Sequence, residues 1–233
     1  MNDIIIPVKA GEVNEELRYC LRSIAENLPH RNIIIAGYKP SWITNVIHVP
    51  TQPDSEPNKY KRVSRNILAG AALEEASDWF TLFNDDMFVM TRMEEIPMVH
   101  RGNMIDMVLS DKAPQQKASM MMTYNALIHA GIKQPINYEV HAPMTISKHG
   151  LLDLLPILET MRLSDAAIQF RSFYGNMHHV GGVQIEDVKQ ASMHTFKYHV
   201  DFPIVSTTDE SFARGRAGEE IKEAFSRKCK YEL

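Results

Sequence analysis

The sequence predicts a single α/β domain, a mixed and mostly parallel sheet flanked by helices. Three observations carry that prediction. Strand-like and helix-like stretches alternate through the first eighty residues. The strand candidates are short continuous apolar runs, as in strands buried on both faces, rather than alternating ones. Finally, 233 residues that are 44% hydrophobic and 23% charged suit one generous domain. At this length roughly 70% of the unfolded surface is buried, so no disulfide or metal is needed merely to fold.

Residues 3–8, DIIIPV, are the first buried strand, β-branched and ended by Pro7 and Gly11. Asn14 can cap the next helix, with Glu15 and Glu16 in its first turn. Leu17, Leu21, Ile24 and Leu28 form its apolar stripe, and Pro29 stops it. NIIIAG at 32–37 is a second strand and VIHVP at 46–50 a third. A helix over about 60–75 carries Val63, Ile67 and Ala71 on one face and leads into strand 79–83, WFTLF. The second half is less regular. It predicts a Met-rich helix at 115–130, a strand running into a turn at 138–143, and a helix at 147–160 capped by Ser147 and interrupted near Pro156. PIVST at 203–207 returns to the sheet, and 216–228 closes the chain as a charged helix. No repeat, low-complexity tract or linker divides it.

Cys20 and Cys229 are the only cysteines; both read as reduced thiols in a cytosol-like compartment. The net charge of −4 gives no global pull towards nucleic acid or an anionic membrane. Met1 is followed at once by Asn2-Asp3 and a strand, so no signal peptide is expected, and no apolar run approaches the ~20 residues that span a bilayer. The expectation is a cytoplasmic protein.

The stretch 80–89, FTLFNDDMFV, carries two adjacent carboxylates into apolar surroundings. Neighbouring acids repel, and burying either without a partner is costly. Asp85 and Asp86 stand at the carboxyl end of the fourth strand, where open α/β sheets bind their ligands. A carboxylate pair there suits a hard divalent cation, which takes oxygen ligands and keeps positions open for phosphate. The alternative is that Asp85 caps a turn while Asp86 pairs with a nearby Arg or Lys.

Lys59, Arg62 and Arg65 lie in NKYKRVSR, a run at 58–65 without an acid that opens a helix, a placement suited to phosphate or to solvent. Asn66 is on the same helix. PVKAG at 7–11 leaves the first strand facing the same end, without the spacing of a dinucleotide fingerprint or a P-loop. Ten histidines form no zinc pattern. His141 precedes Pro143 at an expected strand end, and is either structural or a catalytic or metal residue. His178 and His179 would point to opposite faces of a strand, and either His194 or His199 could complete a metal site. Arg171 offers a planar anion clamp.

Several stretches together resemble a known family. FTLFNDDMFV is similar to the segment of stealth-type sugar-phosphate transferases in which an aromatic strand runs into Asn-Asp-Asp-Met-Phe. LRYCLRSIAENLPHRNIIIAGYKPSW (17–42) resembles that family's opening, and VHAPMTISK (140–148) and IQFRSFYGN (168–176) resemble its later segments. The chain departs from the family in being short and in having IPVKAGEVNEE where Trp-Val-Asp-Gly is expected. Its end, from IVSTTDESF onward, resembles short glycosyltransferases encoded by bacteriophages.

Both resemblances imply one GT-A-like, Rossmann-like domain over 1–233, with a nucleotide-sugar half (1–110) and an acceptor-side half (111–233). They imply Mn²⁺ or Mg²⁺ on Asp86, with Asp85 second because Asn84 takes the first motif position. Lys9, Arg18, Lys59, Arg62 and Asn66 would hold the nucleotide, and His141, Arg171 and Asn176 would face the sugar or its phosphate. The expected function is metal-dependent transfer of a sugar from a nucleoside-diphosphate sugar to an acceptor hydroxyl, with Asp85 or His141 as base. The alternatives are a sugar-1-phosphate transferase and a non-catalytic nucleotide-sugar-binding module. A phage-like context suggests a hydroxymethylated DNA base, a virion protein or a glycan as acceptor, in the host cytoplasm.

Overall fold

A computed structural model describes residues 1–51, 59–110, 113–161 and 168–233. The chain opens with β1 (Asp3–Val8), α1 (Glu15–Asn27), β2 (Ile33–Gly37), β3 (Ile47–Val49), α2 (Lys59–Ala71) and β4 (Trp79–Leu82). It continues through β5 (Met87–Val89), β6 (Val99–His100), α3 (Met104–Ser110), α4 (Pro114–His129) and β7 (Met144–Ser147). Then come α5 (Lys148–Asp153), α6 (Leu155–Met161), α7 (Phe170–Met177), β8 (Val183–Gln184) and β9 (Lys189–Gln190). The chain closes with β10 (Ile204–Thr207), α8 (Asp209–Arg214) and α9 (Arg216–Ala224).

The main sheet has the order β3-β2-β1-β4-β7. Its first four strands are parallel, and β7 runs antiparallel along β4, pairing Leu82 with Met144 and Trp79 with Ser147. Side-chain alternation along β1 explains its wholly apolar sequence. Ile4, Ile6 and Val8 pack on the face covered by α1, with Leu17, Leu21 and Ile24. Ile5 packs on the other face with Ile67, Leu68 and Ala71 of α2. A strand covered on both sides has no polar face to show. Asp3 anchors the far end: its buried carboxylate accepts a two-pronged hydrogen bond from Arg31, at 2.9 and 2.7 Å.

After β4 the chain turns at residues 84–86 and leaves for a second, three-stranded sheet of order β5-β10-β9. β10 runs antiparallel to β5 and parallel to β9, with Ser206 opposite Met87 and Lys189. The acidic turn is thus the hinge point between two sheets.

The structure corrects several expectations. Residues 138–143 form a turn; only Met144–Ser147 pair as a strand. Residues 203–207 do return to a sheet, but to the small one. Val63 is 39% exposed and stands off the α2 stripe, which Ile67, Leu68 and Ala71 make instead. His178 and His179 end α7 rather than lying on a strand. The closing helix is shorter than expected and is preceded by α8. Ser147 does cap α5, accepting from the Gly150 amide at 3.2 Å, and the helix breaks at Leu154 just ahead of Pro156. The cysteines form no disulfide. Among the described residues no helix is long and apolar enough to cross a membrane.

Candidate active site

The acidic turn follows directly from the register of β4. Phe80 and Leu82 are buried in the sheet, the strand runs out at Phe83, and Asn84, Asp85 and Asp86 emerge half-buried at its carboxyl end. What surrounds them comes from distant parts of the chain. Asn14, the N-cap of α1, donates from Nδ2 to Asp85 Oδ2 at 3.0 Å while its Oδ1 accepts from the Leu17 amide. One side chain therefore ends a helix and holds a carboxylate, at the cost of a left-handed backbone with φ 28°. Burial raises the Asp85 carboxyl above its ordinary value, the Asn14 bond opposes that rise, and the charge of Asp86 adds to it.

Asp86 is held from the small sheet. Lys189 Nζ on β9 lies 2.6 Å from its Oδ2, and Ser206 Oγ on β10 donates to the same oxygen at 3.1 Å. The alternative reading of Asp86, pairing with a lysine, is thus observed for that oxygen. Oδ1 of Asp86 is buried with no hydrogen-bond partner. Glu16 completes the acidic face. It accepts from Thr207 Oγ1 at 2.7 Å. Burial pushes its carboxyl up to about 7; the Thr207 bond opposes this, and Asp86, Asp209 and Asp85 reinforce it.

Arg171 stands behind the turn. Its Nη2 donates to Asn84 Oδ1 at 3.0 Å, its Nη1 lies 3.9 Å from Glu139, and its buried Nε has no partner. Burial lowers its guanidinium from the usual value, against the pull of Glu139 and Asp86. His141 sits on the 138–143 turn with φ 50°. Its Nδ1 lies 2.9 Å from Asp187 Oδ1, and Arg101 reaches the same carboxylate at 3.1 Å. Burial alone would raise Asp187; the His141 bond and charge and then Arg101 outweigh it and hold the carboxyl below its ordinary value. With Nδ1 committed to Asp187, the ring is held in one orientation and Nε2 is the nitrogen left for proton transfer.

The structure brings Asn84, Asp85, Asp86 and Arg171 together, with His141 tied to Asp187 two residues before Lys189. It engages other predicted residues elsewhere. Arg18 stacks over Trp42 at 4.2 Å and binds Glu232 at 2.9 Å. Buried Asn66 accepts from Thr51 Oγ1 at 2.8 Å, and its Nδ2 stands within 2.5 Å of where a side chain on Gly37 would begin. Asn176 spends its amide on both backbone groups of Ile136 and on the Ser172 carbonyl. Arg62 is half-buried on α2. Lys9 is exposed, 4.0 Å from Asp209. The side chain of Lys59 lies outside the described residues. His194 and His199 lie in turns on the exposed segment before β10.

Sequence reading missed Asn14 as a ligand, Glu16, Glu139, Asp187, Lys189 and Ser206. Two of these carry a local signal, Asn14 as a helix cap and Glu16 as a first-turn acid, and neither signal points to the site.

The donor set fits a divalent cation in one respect: Asp86 offers a buried oxygen without a partner, with Asp85 beside it. No group of three or more His, Cys, Asp or Glu among the described residues is arranged to hold a metal by itself. An ion here would have to complete its shell with substrate oxygens or water.

The acidic turn thus ends the fourth strand of a mixed, mostly parallel sheet and leads into a second, smaller one. No family model matches the chain, and no curated protein matches it in sequence. Solved structures share its GT-A-like, mixed and mostly parallel α/β fold, two crystal structures of LgtC among them. An active-site mutant of LgtC superposes with a TM-score of 0.52 at 11% identity, covering 95% of this chain and 94% of that one. The galactosyltransferase LgtC in complex with donor and acceptor sugar analogues gives 0.54 at 10% identity, covering 96% and 95%.

Proposed function

We propose that the chain is a nucleotide-sugar-dependent glycosyltransferase using Mn²⁺ or Mg²⁺ at Asp86, with Asp85 second. The observation that carries this is the unpartnered Oδ1 of Asp86 at the carboxyl end of β4, in a fold shared with a galactosyltransferase. In this reading the acceptor oxygen bonds to the anomeric carbon, the bond from that carbon to the donor phosphate breaks, and the diphosphate leaves with the electron pair. The cation, when bound, supplies Lewis-acid stabilisation of the departing diphosphate. Lys189 and Ser206 fix the carboxylate that faces it. Lys9, exposed near Asp85, is assigned to the diphosphate, and Arg62 to the nucleotide end. His141, oriented by Asp187, takes the acceptor proton; Asp85 is the other base in reach of the site.

A second reading, transfer of a sugar-1-phosphate, is favoured by the His141–Asp187 pair together with Arg171. There the acceptor attacks phosphorus, and nucleoside monophosphate leaves. Mass spectrometry of reactions with Mn²⁺ and a panel of nucleotide sugars separates the two. Released nucleoside diphosphate supports sugar transfer, and monophosphate supports the second reading. No turnover of any donor, with or without hydroxymethylated DNA as acceptor, would leave a binding module. Asp86→Ala is expected to lower transfer by at least about a hundredfold with an unchanged circular dichroism spectrum. A variant that stays active sinks the assignment of the metal to Asp86.

A further inference from the structure

A pocket of about 140 Å³ opens at Glu139, among α3, α4 and the 137–139 turn. Its polar walls are Arg101, Gln116, Asn137, Glu139 and Gln169; Met107 and Met120 supply the apolar surface. We propose that this pocket is a subsite for one uncharged sugar ring, recognised through the side-chain oxygen of Gln169. The inference deepens the transferase reading and rests on it for where the ring comes from.

Size comes first. The pocket has room for about five waters at ~30 Å³ each, the scale of a single pyranose. It falls well below the ~300 Å³ at which drug-sized sites begin, which favours a single ring over a larger ligand held whole.

Charge comes second. Both ionic walls are already committed. Arg101 is paired with Asp187 at 3.1 Å, and Glu139 faces Arg171 at 3.9 Å while accepting from the Ser172 amide at 3.1 Å. Among the described residues that line it, no uncompensated charge remains to attract a phosphate or a carboxylated sugar.

Hydrogen bonding decides the chemistry. Gln169 is the N-cap of α7, yet its side chain makes no capping bond. The residue is nine-tenths buried, and its Oε1 has no partner. A buried acceptor left without a donor is costly unless something fills the role. Beside it stand donors (Arg101, Gln116) and another acceptor (Glu139). Hydroxyl groups both give and accept, so a polyol satisfies such a mixed wall where an anion or a hydrocarbon does not. The methionines suit the apolar face of the ring.

Position ties the pocket to the transferring centre. Glu139 leads through Arg171 to Asn84, and Arg101 leads through Asp187 to His141. A ring here lies against Glu139 and Arg101, the outer members of the two contact chains that reach the acidic turn.

The test is ligand-observed NMR on the full chain with methyl glucoside, methyl galactoside and glucuronic acid at millimolar concentrations. A neutral methyl hexoside is expected to bind, with glucuronic acid weaker. Gln169→Leu should raise the apparent dissociation constant about fivefold, the worth of one neutral hydrogen bond. Gln116→Leu, at a half-buried position, should weaken binding similarly and keeps the test open if the first variant misfolds. Displacement of the hexoside by a nucleotide sugar but not by the bare nucleoside diphosphate makes the ring the donor's. Simultaneous binding makes it the acceptor's. Either supports the subsite. A hexoside that does not bind, or that binds both variants as tightly as wild type, overturns it. Binding is read without turnover, so a chain that holds the ring but consumes no donor keeps this inference and loses the transferase reading.

Discussion

Glu16 concentrates the electrostatics of the site in one side chain. It is half-buried, faces Asp85, Asp86 and Asp209, and has a single compensating bond from Thr207. Its folded value of about 7 stands above the ordinary 4.5. Between those two values the folded chain binds more protons than the unfolded one, so this group's contribution makes stability fall as pH rises from 4.5 through 7. Glu16→Gln should therefore flatten the decline in melting temperature between pH 5 and 8 and raise the melting point at pH 8. An unchanged profile would place the titration elsewhere. Divalent cation adds a second handle: Mn²⁺ should raise the melting temperature of wild type more at pH 8 than at pH 6, because Glu16 beside the two aspartates is more fully ionised there. At this scale the sequence was only partly legible. Asp85 and Asp86 stand out because two acids interrupt an apolar strand. Lys189 and Ser206 do not, since nothing local marks a lysine whose partner is more than a hundred residues away.

The elements show why some structure could be read and some could not. α1 was legible because Leu17, Leu21, Ile24 and Leu28 repeat at the helical period and all four are buried. The 138–143 turn was not. Tyr138, Val140 and Ala142 are buried as an alternating strand would be, but His141 bends the backbone to φ 50° and no ladder forms. The chain's end hid its role too. There the sequence shows a charged stretch, yet Glu232 fastens it to α1: Arg22 donates to both carboxylate oxygens at 2.7 and 2.8 Å and Arg18 to one at 2.9 Å. Burial alone would raise this carboxyl, but the Arg22 bonds, the Cys229 amide and Arg18 outweigh it and hold it at about 2. Glu232 therefore stabilises the fold fully above its ordinary 4.5, and that contribution is lost as pH falls from there through about 2. Glu232→Ala leaves Arg22 buried without its partner and should cost about 3 kcal/mol, or roughly 10 °C of melting temperature at this chain length. Thermal denaturation at pH 7 checks it. A loss under about 2 °C would show that water replaces the carboxylate.

On the scale of the whole molecule, the two sequence halves share one structure. β4, from the first half, takes β7 from the second as its outer neighbour, through four paired positions. β5 finds its only strand partner among the described residues in β10. The acidic turn between β4 and β5 is consequently held on both sides by strands that lie more than fifty residues further on. Asp86 depends on Lys189 and Ser206, and Asn84 on Arg171. Residue 110 thus marks no boundary in packing, and both halves bring acids and cations to the site: Asp85, Asp86 and Arg101 from the first, Glu139, Asp187, Arg171 and Lys189 from the second. The core makes the same point: Phe83, Phe88 and Val89 lie in one cluster with Ile204, Val205 and Phe212. A fragment of residues 1–110 would expose the β4 edge and strip β5 of its ladder, inviting aggregation rather than independent folding. We therefore expect the intact chain to unfold in urea in one step, with far-ultraviolet circular dichroism and the fluorescence of Trp42 and Trp79 giving coincident midpoints. The 1–110 fragment should show no cooperative transition. Separated midpoints, or a fragment that melts cooperatively, would mean the first half carries its own stable fold and that the acidic turn forms before its cationic partners arrive.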